Sequence, residues 1–123
     1  MSEADNQFEI TFFESLLRRM PDDVEVLEIL AGLYSDEGRI DDSLRMDSLL
    51  VDLQPENPTA RYNLACSLAL KSLDEQALET LRQAIDLGYR DVQWLKDDPD
   101  FRELRKHPSF QEILDDLQAR PTS

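Results

Sequence analysis

Two stretches of this chain match one another at an offset of 34 residues, and that period limits the fold more than any other feature. Met20-Pro21-Asp22 answers to Gln54-Pro55-Glu56, Leu30-Ala31 to Leu64-Ala65, Ser43-Leu44 to Ala77-Leu78, Leu50 to Ala84, and Leu53 to Leu87. A repeat of this length is one supersecondary unit that cannot bury its apolar face alone, so consecutive copies are expected to stack. Each period reads helix, turn, helix. Val24, Leu27, Leu30, Ala31 and Tyr34 recur at the spacing of an amphipathic helix. Gly38-Arg39 interrupts them, and Ile40, Leu44, Leu49, Leu50 and Leu53 predict a second helix. Pro55 stops it, because proline has no N–H to donate and its ring clashes with the preceding turn.

Asn57-Pro58 opens the next unit with a favoured cap residue and a proline whose missing donor is not needed at the first helical position. Leu64, Ala65 and Leu68 continue that helix. Ser72 and Glu75 have capping-box spacing and predict the start of another, running through Ala77, Leu78, Leu81, Ala84, Ile85 and Leu87. Gly88 suits its left-handed end. Upstream, Phe8, Phe12, Phe13, Leu16 and Leu17 predict a helix opened by Asn6 and Glu9, the second half of a unit whose first helix is absent. Downstream, Asp98-Pro99 and His107-Pro108 each read as a helix start, and Phe110, Ile113, Leu114 and Leu117 form the stripe of a final helix. No strand pattern is present.

Composition narrows the function. With 123 residues, 41% of them apolar, the chain can bury a real core but is too short for two domains with a catalytic cleft between them. Its 27 acidic and 13 basic residues give a net charge of −14, which repels nucleic-acid backbones and anionic lipid and excludes both as partners. One cysteine, Cys66, and one histidine, His107, form neither an internal disulfide nor a zinc site. No stretch approaches the ~20 apolar residues of a membrane span. Met1-Ser2-Glu3-Ala4-Asp5 lacks the basic and apolar regions of a leader, so the expected setting is soluble, reducing and cytoplasmic.

The helix-turn-helix unit resembles the tetratricopeptide repeat (TPR) family over Val24 to Tyr89, as two full repeats with a half repeat before them. Ala31, Ala65, Ala77 and Ala84 stand at the family's small positions, with Ser43 one step larger; Tyr34 is its first-helix tyrosine and Pro55 its closing proline. Leu68, Tyr89, Leu27, Arg61, Asp47 and Leu81 depart from its usual residues. The tail from Trp94-Leu95 through Asp98-Pro99-Asp100-Phe101 and Leu104-Arg105 to Pro108-Ser109-Phe110 resembles the terminal segment after the last repeat in some bacterial members. The resemblance implies an all-α, right-handed α-α superhelix of about two and a half repeats with a C-terminal capping helix. It implies a single domain over 1–123, with a half repeat at 6–21, repeats at 24–57 and 58–91, and a terminal capping segment at 92–120. A stack ends in an exposed apolar face, and Phe101, Leu104, Phe110 and Leu114 suit its cover.

In this family the first helix of each repeat lines a concave groove that holds a partner's peptide or helix. Carried over, the groove residues are Glu25, Glu28, Ile29, Leu33, Asp36 and Glu37, then Thr59, Tyr62, Asn63, Cys66, Ala69 and Leu70. Fifteen acidic residues oppose four basic ones up to Asn57, against twelve and nine from Pro58 onward. A partner with Lys or Arg at one end and an apolar or amide-contacting part at the other would complement that asymmetry. The same charges also read as solvated helix faces. Asn63 both donates and accepts, and so could clamp a peptide backbone; it reads equally as a plain exposed polar residue. Members that grip a C-terminal carboxylate use several Lys, Arg and Asn, which these places lack. Cys66, with no cation near it in sequence, reads as an inert thiol. His107 reads as a helix start. Asp97, Asp98 and Asp100 read as capping residues, since calcium-loop spacing is absent.

The expected function is therefore a non-enzymatic interaction module that binds a partner protein, with no metal and no cofactor. A small acidic chaperone for secreted or assembly subunits is the alternative within that class. The competing class, a metal-assisted hydrolase on the tail aspartates, lacks a paired base, a nucleophile motif and a phosphate loop. Phe8, Phe12 and Phe13 at the start of the array lead us to expect a homodimer through that helix.

Overall fold

The computed structural model describes residues 3–120; Met1 and Ser2, at the head of the segment screened for a leader, lie outside the described residues. Seven α-helices are described: α1 (Glu3–Arg19), α2 (Val24–Asp36), α3 (Ile40–Leu53), α4 (Pro58–Leu70), α5 (Asp74–Asp86), α6 (Val92–Asp97) and α7 (Pro108–Ala119). Short 3-10 turns at Pro99–Phe101 and Leu104–Lys106 stand between the last two, and no strand occurs among the described residues. None of these helices is long and apolar enough to cross a membrane. The chain divides into two compact units at Pro55/Glu56, with α1 to α3 in the first and α4 to α7 in the second.

Helix starts follow the capping chemistry in the sequence at several points. Asp23 accepts the Val26 N–H at 3.1 Å to open α2, and Asn57 accepts those of Thr59 and Ala60 at 2.9 and 3.3 Å ahead of Pro58. Helix ends repeat a single device. Gly38 after α2 (φ 73°), Ser72 after α4 (φ 64°) and Gly88 after α5 (φ 120°) all take positive φ. In each case the next residue's N–H returns to a carbonyl five positions back: Arg39 to Tyr34 at 2.8 Å, Leu73 to Leu68 and Tyr89 to Ala84 at 3.0 Å. This is the Schellman closure, which satisfies carbonyls that a helix end leaves open.

Two expected caps are overturned. Ser72 is the left-handed end of α4, so it cannot open α5, whose cap position is Leu73 and carries no side-chain hydrogen bond. Asn6 lies inside α1, where its amide donates to Glu37 Oε1 at 2.6 Å instead of capping.

In the first unit, α1 and α3 both pack on α2. Ile10, Leu27, Leu30, Tyr34, Met46 and Leu50 form the centre, with Phe13, Leu16, Leu17 and Val24 against it. The inward face of α3 is Ser43, Met46, Asp47, Leu50 and Val51. Leu49 and Leu53, read from sequence as stripe residues, are part-exposed, because the stripe that starts at Ser43 leaves them on the other side. Ser43 Oγ donates to the Ala31 carbonyl at 3.2 Å, so the one small position that is not alanine satisfies its hydroxyl at the helix contact.

In the second unit, Ala65, Ala77 and Ala84 are fully buried and let α4 and α5 pack closely. Leu95, Phe101, Leu104, Phe110, Ile113 and Leu117 of the tail are buried too, and α7 packs on both α5 and α6. Leu64 is half-buried and Leu87 part-exposed.

A non-glycine residue in the left-handed region is strained by roughly 1–2 kcal/mol, part of which glycine gives back through the entropy of the unfolded chain. Ser72→Gly should therefore stabilise the fold by about 1 kcal/mol. Urea unfolding checks this as a higher midpoint at unchanged slope.

Candidate functional site

The two helices that the repeat pattern marks as groove helices differ in what they leave open. On α2, Val26, Leu27, Leu30, Ala31, Leu33 and Tyr34 are buried. Glu25, Glu28, Ile29, Gly32 and Asp36 share the exposed side, and Glu37 is half-buried against Asn6. A Cβ added to Gly32 would meet nothing within 4 Å. The inner side of α2 is fixed by Tyr34, whose hydroxyl donates to Glu14 Oε2 at 2.6 Å while the Arg39 guanidinium lies 4.6 Å over its ring. Burial, then Glu14, pushes the Tyr34 phenol up to about 12. Arg39 is itself held by Asp42 at 2.8 Å.

On α4 almost every side chain turns inward. Ala60, Tyr62, Ala65, Cys66, Ser67, Leu68 and Ala69 are buried, leaving Thr59, Asn63 and Leu70 in the open. The reason is that α4 is covered on one side by α5 and on another by the turn at Pro99–Phe101. Asp98, only 3% exposed, organises that second contact. Its Oδ2 accepts the Tyr62 hydroxyl at 2.6 Å and lies 3.7 Å from the Cys66 thiol, while its Oδ1 caps the turn through the Asp100 N–H at 3.0 Å. Arg105 donates to the Asp98 carbonyl at 2.6 Å. The Tyr62 ring stacks on Tyr89 at 4.3 Å and meets the edge of Phe101 at 5.6 Å. Burial first, then the bond to Asp98, raises the Tyr62 phenol far above its ordinary value, so it remains a donor. Burial likewise lifts Tyr89 to about 12.

Of the residues expected in a groove, Leu33, Tyr62, Cys66 and Ala69 are thus drawn into the interior of their own units. Cys66, Asp98 and Asp100 bring one potential metal-ligand atom each within 4.8 Å of one another. Both Asp98 oxygens, however, are already engaged in holding the turn to α4. Asp97 lies apart and accepts from Gln93 at 2.8 Å. His107 Nδ1 accepts the Ser109 N–H at 3.3 Å and starts α7. Sequence reading identified Asp98 as a cap, but its partners on α4 lie 36 and 32 residues away and carried no local signal. A hollow of about 220 Å³ beside α5 and α7 is lined by Arg82, Ile85, Asp86, Ile113, Asp116 and Arg120. It is smaller than an ordinary ligand site, and Arg120 is taken up by Asp86 and Asp116 at 3.0 and 2.9 Å.

This helical-repeat fold is that of MamA, a TPR-like protein. One MamA crystal structure superposes with a TM-score of 0.75 at 22% identity, covering 94% of this chain and 68% of MamA. A second gives 0.74 at 22% identity over 94% of this chain and 63% of that one, so the chain spans about two thirds of its structural neighbours. No protein-family model and no curated protein sequence matches it.

Asp98→Ala removes an acceptor from a buried hydroxyl and a cap from the turn, and should cost about 2–4 kcal/mol in a urea unfolding series. A second test concerns pH. Burial, and then the neighbouring Asp98 carboxylate, hold the Asp100 carboxyl above its ordinary value. Its proton therefore favours the fold: that contribution is complete below the unfolded pKa and is lost as pH rises through the folded one. Asp100→Asn should match the parent protein in acid and exceed it in stability at neutral pH, read as urea midpoints at both.

Proposed function

We propose that this protein is a non-enzymatic interaction module that receives a segment of a partner protein on the outward face of α2. The observation that carries this reading is the exposed side of α2. A glycine inside a helix is worse than alanine by roughly 0.5–1 kcal/mol. Among the described residues, none packs against Gly32 to require it. The backbone there is open to close approach, beside the exposed Ile29 and among the carboxylates of Glu25, Glu28 and Asp36. A segment with Lys or Arg flanking an apolar residue complements that face, and its charge speeds encounter. The TPR-like fold shared with MamA supports the same class of function.

The test is a fluorescence-anisotropy titration with a labelled amphipathic peptide that carries Lys beside Leu. Glu28→Lys should weaken binding roughly tenfold, and added salt should weaken it further. Asp52→Lys makes the same charge change on the exposed side of α3 and should leave affinity near the parent value. Gly32→Ala should stabilise the helix by up to about 1 kcal/mol yet reduce affinity. Equal losses from Glu28→Lys and Asp52→Lys would show mere net-charge attraction and overturn the reading.

A further inference from the structure

We propose that the exposed face of α1 is a self-association surface, on which α1 of a second copy of this chain lies antiparallel. This goes beyond peptide binding and does not depend on it. α1 turns Ile10, Phe13 and Leu17 toward the core of its unit, with the half-buried Leu16 at the edge of that face. It leaves Phe8 75% exposed and Phe12 53% exposed, one helical turn apart. Single exposed apolar residues are ordinary, but two phenyl rings in line are not. The strip continues along the half-buried Leu16 to the exposed Met20, whose N–H still bonds to the Leu16 carbonyl at 2.9 Å. Phe12 is held in place by an edge contact with Phe13 at 5.1 Å, so its ring is presented by a rigid helix.

The charges of α1 select the occupant. Glu9 stands beside the strip at one end, and Arg18 and Arg19 occupy the last turn at the other. In an antiparallel pair, a register that sets Phe12 against the partner's Leu16 also sets Phe8 against the partner's Met20. The same register places Glu9 opposite the partner's Arg19. Two-fold symmetry repeats each contact, so both ends of the strip are matched at once. A parallel copy would instead bring the Arg18-Arg19 pairs together and align the helix dipoles unfavourably. The strip is small for an interface, which points to a reversible dimer with a dissociation constant on the order of 10 μM.

Sedimentation equilibrium of the full chain from about 1 to about 200 μM tests this, since that range brackets the expected constant. A monomer–dimer equilibrium is expected for the parent protein, and Phe12→Glu should abolish it with the helical circular dichroism unchanged. Arg19→Glu should weaken the dimer roughly tenfold, Glu9→Arg likewise, and the double variant should restore it. That rescue is specific to the antiparallel register and does not rely on the Phe12 variant folding. A parent protein that stays monomeric throughout, a dimer indifferent to Phe12→Glu, or charge variants that fail to rescue one another would each overturn the proposal. Peptide titration of the Phe12→Glu variant keeps the two surfaces separate: affinity on α2 should be unchanged.

Discussion

A carboxylate with almost no contact with water holds the second unit together. Asp98 is bound to α4 through one oxygen and to the start of its own turn through the other, so one side chain sets both where the tail begins and where it lands. Hydrogen bonds from Tyr62 and the Asp100 backbone satisfy its oxygens, as a buried polar group requires. With the turn in place, Phe101 reaches Tyr62, Phe110 packs near Phe101 at 5.7 Å, and α7 follows onto α5. The chemistry available to the α4 face is decided by the same contact, since it takes Tyr62 and Cys66 out of reach and leaves Asn63 and Leu70.

The legible parts of the sequence were those written in local code. The positions of α2 to α5 and α7, the caps at Asn57, Asp98 and His107, the break at Gly38, the left-handed Gly88 and the buried stripe of α7 all follow from residues within a turn or two of one another. The failures share a cause as well. Serine is a usual cap, which Ser72 suggests; aligned by the repeat, however, it stands where Gly38 does, and backbone geometry prevails over side-chain preference. Leu49 and Leu53 fit the apolar pattern of a second helix, but Ser43 and Asp47 mark the inward side of α3.

The candidate binding surface was harder to read, because a spacing rule places a residue on a helix without saying what covers that helix. Glu25, Glu28, Ile29 and Asp36 are open because, among the described residues, none of their unit lies over that side of α2. Tyr62 and Cys66 hold equivalent ground on α4, yet the tail lies over them. Repetition in the sequence is therefore not repetition in surface: two helices of one pattern leave different groups exposed, an acid-flanked open backbone on one and an amide with a leucine on the other.

The burial of Cys66 behind Asp98 has a practical consequence. It is the only thiol in the chain and only 8% exposed, so lifting of the tail would bare it to a reagent. Alkylation kinetics at this sulfur would thus clock the breathing of the terminal segment without a label being introduced, and would separate a local opening from loss of the whole fold.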